Sequence, residues 1–185
     1  MEKTITIACN FLCEIMREPK FIPREGQIDY THIRYAPVIN CVLRYGQKIL
    51  IVQRSAGMRL YPNLWNGISG FLDDDRNIEE KVKEELREEL GITEEAIVSM
   101  TLGNVFLQDA PQYKKTWIVH PIVVDVSMQA VTLDWEARDF KWIMLEQARN
   151  FDLMPGFNLV LERLFNKDEN SWSLSREDRK TNRLI

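Results

Sequence analysis

The stretch GFLDDDRNIEEKVKEELREELGI, residues 70–92, decides how this chain is read. Ile78, Val82, Leu86 and Leu90 recur every four residues, Asn77 stands where an N-cap belongs, and Gly91 stands where a helix ends. The spacing predicts a helix from about 77 to 90 with its apolar stripe packed on a sheet. Glu85, Glu88 and Glu89 fall at i, i+3 and i+4, so their carboxylates share one face beside that stripe. Like charges so placed repel one another by roughly a few tenths of a kcal/mol per pair. Three oxygen donors next to a packed face suit a hard cation such as Mg2+. Taken alone, the helix also reads as a solvated acidic face interspersed with Lys81, Lys83 and Arg87. The surroundings favour the metal: Gly70 ends a strand before an acidic loop, and Gly91 and Ile92 close the helix.

The charge distribution points the same way. Between Asp73 and Glu95 eleven acids accompany four bases, a local charge of −7 in a chain whose total is −4. Such a concentration repels itself unless cations intervene. The chain has 185 residues, 45% apolar and 28% charged, which is one globular domain with extensions. No apolar run approaches the roughly 18–20 residues that cross a bilayer. The segment from Thr4 to Met16 is interrupted by Asn10 and Glu14 and has no small-residue cleavage site, so a cytoplasmic location and no membrane partner are expected. Cys9, Cys13 and Cys41 make neither a disulfide framework nor a zinc pattern, and Cys41 reads as a core residue. His32 and His120 are the only histidines, and His120 reads as structural.

Outward from the quoted stretch, β-branched runs at 37–43 and 48–53 flank Arg44 to Gln47, a hairpin signal with Gly46 in the turn. Residues 55–66 read as a loop and 67–71 as a short strand. Downstream, strands are predicted at 97–107, 116–126 and 138–143, with a polar loop at 108–115. A short helix is expected at 145–150 and a packed helix at 155–165. The division is an extension at 1–34, a domain at 35–167 and a polar tail at 168–185 that is expected to fray. The 1–34 segment is open to two roles, a homodimer contact or a pocket wall. Strands alternating with two main helices predict an α/β fold with a mixed sheet between helices. Neither phosphate-binding glycine fingerprint is present, and no basic stripe with interleaved aromatics indicates nucleic acid.

The quoted stretch resembles the signature of the Nudix hydrolases, G-x5-E-x7-R-E-U-x-E-E-x-G-U, with U apolar. Gly70, Glu85-Leu86, Glu88-Glu89 and Gly91-Ile92 match at the required spacing. Two positions depart: Arg76 stands where the pattern has Glu, and Glu84 where it has Arg. In the family those two residues brace the loop against the helix as an ion pair, so a brace of reversed sign is expected here. The flanks ILIVQRS (49–55) and LWNGISG (64–70), and Trp135-Glu136 followed by FKWI (140–143), are similar to the strands around Nudix boxes. The resemblance covers about residues 35–165.

The resemblance implies an α/β/α sandwich with a mixed central sheet. It further implies a Mg2+-dependent pyrophosphohydrolase, with Mn2+ as an alternative ion, acting on a nucleoside diphosphate linked to another moiety. Glu85, Glu88 and Glu89, with the carbonyl of Gly70, would hold the metal, which neutralises the diphosphate and acidifies water. An acid beyond the box, Glu136, Asp139 or Asp109, would serve as base or extra ligand. Arg54 would contact phosphate. Trp65, Phe106 and Trp117 are candidates to stack on a base, with a core role as the alternative. Two rival functions follow from the same resemblance. One is a Nudix-like domain that binds a nucleotide or a protein without cleavage. The other is isopentenyl-diphosphate isomerase, disfavoured because Ser69 to Leu72 offers neither the Cys nor the His that enzyme needs near Gly70.

Overall fold

The computed structural model describes residues 22–165. Cys9, Cys13 and the tail expected to fray lie outside the described residues. The hairpin forms as expected: β1 (Tyr35–Tyr45) and β2 (Lys48–Arg54) pair antiparallel around a Gly46-Gln47 turn, with Gly46 at φ 59. β3 (Trp65–Asn66) pairs with β2, and β4 (Ile68–Phe71) pairs with β1 and delivers the chain to the box. Helix α1 (Ile78–Leu90) follows. Then come β5 (Ile97–Leu102), β6 (Phe106–Ala110), β7 (Lys115–Val126), β8 (Ala137–Met144) and helix α2 (Phe157–Phe165). The eight strands make one mixed sheet ordered β3-β2-β1-β7-β5, with β4 on β1, β6 on β7 and β8 on β2. β1 and β7 are parallel, from Tyr35↔Thr116 to Arg44↔Asp125, and the other strand-to-strand pairings of the sheet are antiparallel, with one isolated parallel bridge from Trp65 to Leu153.

The period-2 alternation of the strands builds two cores, one on each face. Ile39, Cys41, Leu43, Leu50, Val52 and Ile68 meet Val82, Leu86 and Leu90 of α1. On the other face Ala36, Val42, Ile49, Ile51 and Val119 meet Phe157, Val160 and Leu161 of α2. The result is the α/β/α sandwich with a mixed central sheet that the resemblance implies. Leu86 is fully buried, and truncating such a leucine to alanine costs about 2–5 kcal/mol. The carboxylates on the next face of α1 are therefore held against the sheet by packing that does not depend on them.

Several elements differ from the sequence expectation. Strand β3 (Trp65–Asn66) lies within the stretch expected as a loop, and the short helix at 145–150 is a 3-10 helix. Three further elements change their bounds. The strand expected at 97–107 is two strands: β5 pairs with residues 122–126 of β7 and β6 with residues 115–119. The break lies beside Pro121, which has no N–H for a ladder; Gly103 N donates to its carbonyl at 2.8 Å instead. The polar loop is shorter than expected, because β6 runs to Ala110 and a single 3-10 turn (Pro111–Tyr113) leads into left-handed Lys114. The second helix starts at Phe157, because Gly156 at φ 90 lies outside helical space.

Candidate active site

Local chemistry fixes both ends of α1. The Asn77 side chain accepts from Glu80 N at 3.0 Å while the Glu80 carboxylate accepts from Asn77 N at 2.9 Å, a reciprocal capping box. Gly91 closes the helix at φ 65 and donates to Arg87 O. At the strand side, a Cβ on Gly70 would overlap the carboxylate of Glu85. Only glycine lets that carboxylate lie against the backbone of β4.

The charge-reversed brace is formed. Arg76 pairs with Glu84 and grips Asp74, with Nε 3.0 Å from each Asp74 oxygen. Hydrogen bonds from Arg76 hold the Asp74 carboxyl down to about 2. Beside the brace sits a cation the sequence reading did not single out. Lys81 is 7% exposed, with Nζ 3.1 Å from Glu85, 3.3 Å from Glu84 and 3.7 Å from Asp73. Burial works to lower its pKa, and the carboxylates of Glu85 and Asp73 outweigh that, so the net direction is up. The available signal was the i,i+3 and i,i+4 spacing of Lys81 to Glu84 and Glu85.

Beyond Lys81 the carboxylates lack such compensation. Burial raises the pKa of Glu85 against the pull of Lys81. Burial, then the neighbouring charges of Glu136 and Glu85, raise Glu89 well above the ordinary carboxylate range. Glu136, from the turn before β8, is raised by burial and by Asp134, with Arg54 opposing. Among the described residues neither Glu89 nor Glu136 forms a salt bridge. Glu88 differs: its side chain is 58% exposed and lies 3.7 Å from Arg87. Among the described residues no three acidic, Cys or His side chains converge tightly enough to form a preassembled metal site. The donor chemistry nonetheless fits a hard divalent cation: α1 presents the carboxylate of Glu85, shared with Lys81 and lying against Gly70, and the buried carboxylate of Glu89, which forms no salt bridge among the described residues.

The remaining candidates separate by position. Arg54 donates through Nε to Leu60 O at 2.9 Å and lies close enough to Glu89 and Glu136 to lower both. Trp65 is 7% exposed and packs edge-on against Phe151 at 5.1 Å. Trp117 is 6% exposed, donates to the Tyr61 hydroxyl at 3.0 Å and meets Phe71 edge-on. Phe106 is a core residue. His120 Nδ1 sits 3.3 Å from Val38 O. Asp109 accepts from Thr116 Oγ1 at 2.7 Å, and Asp139 accepts from Phe140 N at 2.8 Å, away from the box. The structure thus gathers Gly70, Glu85, Glu89, Glu136 and Arg54, and leaves Glu88 at the exposed flank.

Comparison with known proteins identifies the family and the fold. The model of the NUDIX domain matches residues 34–164. A nucleoside triphosphatase, NudI, of Klebsiella pneumoniae is 25% identical over 137 residues, covering 70% of this chain and 96% of its own. The MutT protein from Methanosarcina mazei superposes with a TM-score of 0.61 at 22% identity, over 75% of this chain and 98% of that one. The NUDIX domain of Shewanella oneidensis NrtR, solved with ADP ribose, gives 0.59 at 19% identity, over 84% and 95%. With the domain model spanning most of the chain and the box carboxylates gathered on α1, the chain belongs to the NUDIX domain family and is a Nudix hydrolase.

Proposed function

We propose that the protein is a Mg2+-dependent pyrophosphohydrolase that cleaves the diphosphate bond of a nucleoside diphosphate linked to another moiety, in the cytoplasm. The observation that carries this reading is the set of desolvated carboxylates Glu85, Glu89 and Glu136, with Glu85 against Gly70 and Arg54 near Glu89 and Glu136. Glu85, Glu88, Glu89 and the Gly70 carbonyl would hold Mg2+, or Mn2+ in its place. The ion supplies charge neutralisation of the diphosphate and Lewis acidity for its hydrolysis. Arg54 binds phosphate through the guanidinium face left free by its bond to Leu60 O. Glu136, whose pKa burial and Asp134 raise, accepts the proton of the attacking water or completes the ligand set. Trp117 is the aromatic contact on the substrate side, Trp65 being packed in the core against Phe151. The nucleoside triphosphates that the NudI relative cleaves and the ADP ribose bound by the NrtR domain are nucleosides carrying phosphoric anhydrides, which fits the class.

The test is a Mg2+-dependent screen over nucleoside triphosphates, dinucleotides and nucleotide sugars, read as nucleoside monophosphate release. Glu89→Gln and Glu88→Gln are each expected to lower kcat by ~10²-fold or more. Full activity in Glu88→Gln would remove that carboxylate from the ligand set. Nucleotide binding without any release across the panel would favour the binding-only reading.

A further inference from the structure

Lys81 is one cation set between two carboxylates that share it. Its Nζ lies 3.1 Å from Glu85 Oε1 and 3.7 Å from Asp73 Oδ1, and among the described residues neither acid forms a second salt bridge. Glu84, the third acid within reach at 3.3 Å, already has Arg76. The oxygen that Lys81 holds is also the one nearest Gly70, since a Cβ there would meet Glu85 Oε1 first. Lys81 therefore sits on a donor atom that the proposed metal site needs. On its other flank, Asp73 Oδ1 is buried and has no hydrogen-bond partner among the described residues, with Nζ just beyond hydrogen-bond distance. Asp73 itself is pinned, because the segment before β1 is fastened to its loop. Ile28 N donates to Asp73 O at 2.5 Å, Gln27 Nε2 to Asp73 Oδ2 at 2.7 Å, and the Tyr30 hydroxyl to Leu72 O at 3.0 Å. Tyr30 stacks over Phe71 with ring centroids 5.9 Å apart, and Lys115 secures the same segment from β7 by donating to the carbonyls of Tyr30, Thr31 and Ile33. The acceptor is fixed, and the partner free to move is the ammonium on its flexible stem.

We propose that Lys81 is a built-in competitor of the divalent ion: it neutralises Glu85 in the metal-free protein and passes to Asp73 Oδ1 when an ion takes Glu85. The proposal rests on the reading of Glu85 as a metal ligand. The movement it needs is small, from 3.7 Å to the ordinary N–H···O distance of about 2.9 Å. That movement gives a buried acceptor its donor and draws the ammonium away from a second cation on the same carboxylate. It also balances the charges. In the metal-free protein one ammonium serves both Glu85 and Asp73; with an ion on Glu85, each acid has its own cation. A lysine placed only to neutralise the acidic loop would already saturate Asp73, and Lys81 leaves that oxygen without a donor. Lys81 is thus a positioning residue, which sets how tightly the site takes its ion without touching substrate.

The experiment reads ion binding and not turnover. Mn2+ is titrated into the full-length protein by calorimetry, without substrate, and Tm is followed in EDTA and in excess Mn2+. Lys81→Met is expected to bind Mn2+ about tenfold more tightly while its Tm in EDTA falls, because Glu85 and Asp73 lose the cation they share. Asp73→Asn should move the affinity the other way, weakening Mn2+ about threefold or more, since the ammonium then has no anionic acceptor to pass to. Once Lys81 is methionine, adding Asp73→Asn should change the affinity no further. A lysine with a purely structural role would lower Tm in EDTA and leave Mn2+ binding equal or weaker, so that result in a folded Lys81→Met protein overturns the proposal. The unmodified chain gives a second reading: with isotope-labelled lysine side chains, Mg2+ should shift the Lys81 Cε resonance saturably by NMR. A resonance that stays in place at saturating Mg2+ would overturn the proposal even if Lys81→Met failed to fold. Mn2+ binding that Glu89→Gln weakens and Lys81→Met leaves alone would remove the competitor and keep the metal site. Failure of both the native and the Lys81→Met proteins to bind Mn2+ would remove the metal site and the competitor with it.

Discussion

Arg76 holds two acids at once, Glu84 across the loop and Asp74 beside it, and Glu84 is shared with Lys81. The reversed brace is therefore part of a chain of alternating charges, Asp74, Arg76, Glu84, Lys81 and Glu85. That arrangement predicts how the usual family signs would behave here. The pair Arg76→Glu with Glu84→Arg restores them, yet it sets an acid against Asp74 and a second cation beside Lys81, whose Nζ lies 3.3 Å from Glu84 in the native chain. The double variant should be less stable than the native protein in urea unfolding, despite keeping an opposite-charge pair. In a cycle with Arg76→Ala and Glu84→Ala the coupling should be about 1 kcal/mol, since both side chains are partly exposed. Equal stability of the reversed and native forms would show that the two residues act as an isolated pair. The pairing of Arg76 with Glu84 was legible in the sequence, because both departures from the pattern are charge reversals. The burial of Lys81 was not. In sequence it is one lysine among the charges of an acidic helix, and the acid that covers it, Asp73, comes from the preceding loop.

At the scale of elements, β4, its loop and α1 behave as one unit. The helix was readable from its four-residue stripe and both caps, and the structure starts and ends it within a residue of that reading. Its contact with β4 through Gly70 was readable only as a pattern match, since the reason lies in the approach of Glu85. Gly70→Ala tests that approach: the added methyl must displace the Glu85 carboxylate. The variant should keep its fold by circular dichroism and lose tenfold or more in Mn2+ affinity by isothermal titration. Unchanged affinity would place Glu85 outside the ligand set. The division of the 97–107 strand falls at Gly103-Asn104, a turn signal inside the apolar run, while its backbone cause, Pro121, sits on the partner strand and leaves no mark on residues 97–107. The anchoring of residues 27–31 was missed for a related reason. Single long-range hydrogen bonds and one aromatic stack hold that segment, and none of these leaves a local period in sequence. Trp65 and Trp117 look alike in sequence, and only the fold separates a tryptophan packed on Phe151 from one that lines a cavity.

Over the whole molecule, the acids that a metal would bind make the metal-free protein sensitive to pH. Burial raises the pKa of Glu85, Glu89 and Glu136, so the folded chain binds their protons more tightly than the unfolded chain. Their contribution is complete below the ordinary glutamate value and is lost as pH rises through the raised values. Asp74, held at about 2, acts in the opposite sense and only under strong acid, where its contribution falls away. In EDTA, Tm should therefore decline from about pH 5 toward pH 8, and Mg2+ should raise Tm more at pH 8 than at pH 5. A Tm that climbs from pH 5 to 8 in EDTA would contradict the assigned shifts.

The parallel pairing of β1 with β7 has a consequence for how the chain is made. Each residue of β1 finds its partner 81 positions later, as Arg44 finds Asp125. At about 5–20 residues per second of synthesis, that is a wait of roughly 4–16 s. Throughout it β1, the hairpin with β2, β4 and α1 can assemble by short-range contacts, while the central slot of the sheet stands open to any strand that reaches it first. The nascent chain is then an acidic half-domain with an exposed backbone edge, and the concentrated negative charge of the box works against edge-to-edge pairing of such copies.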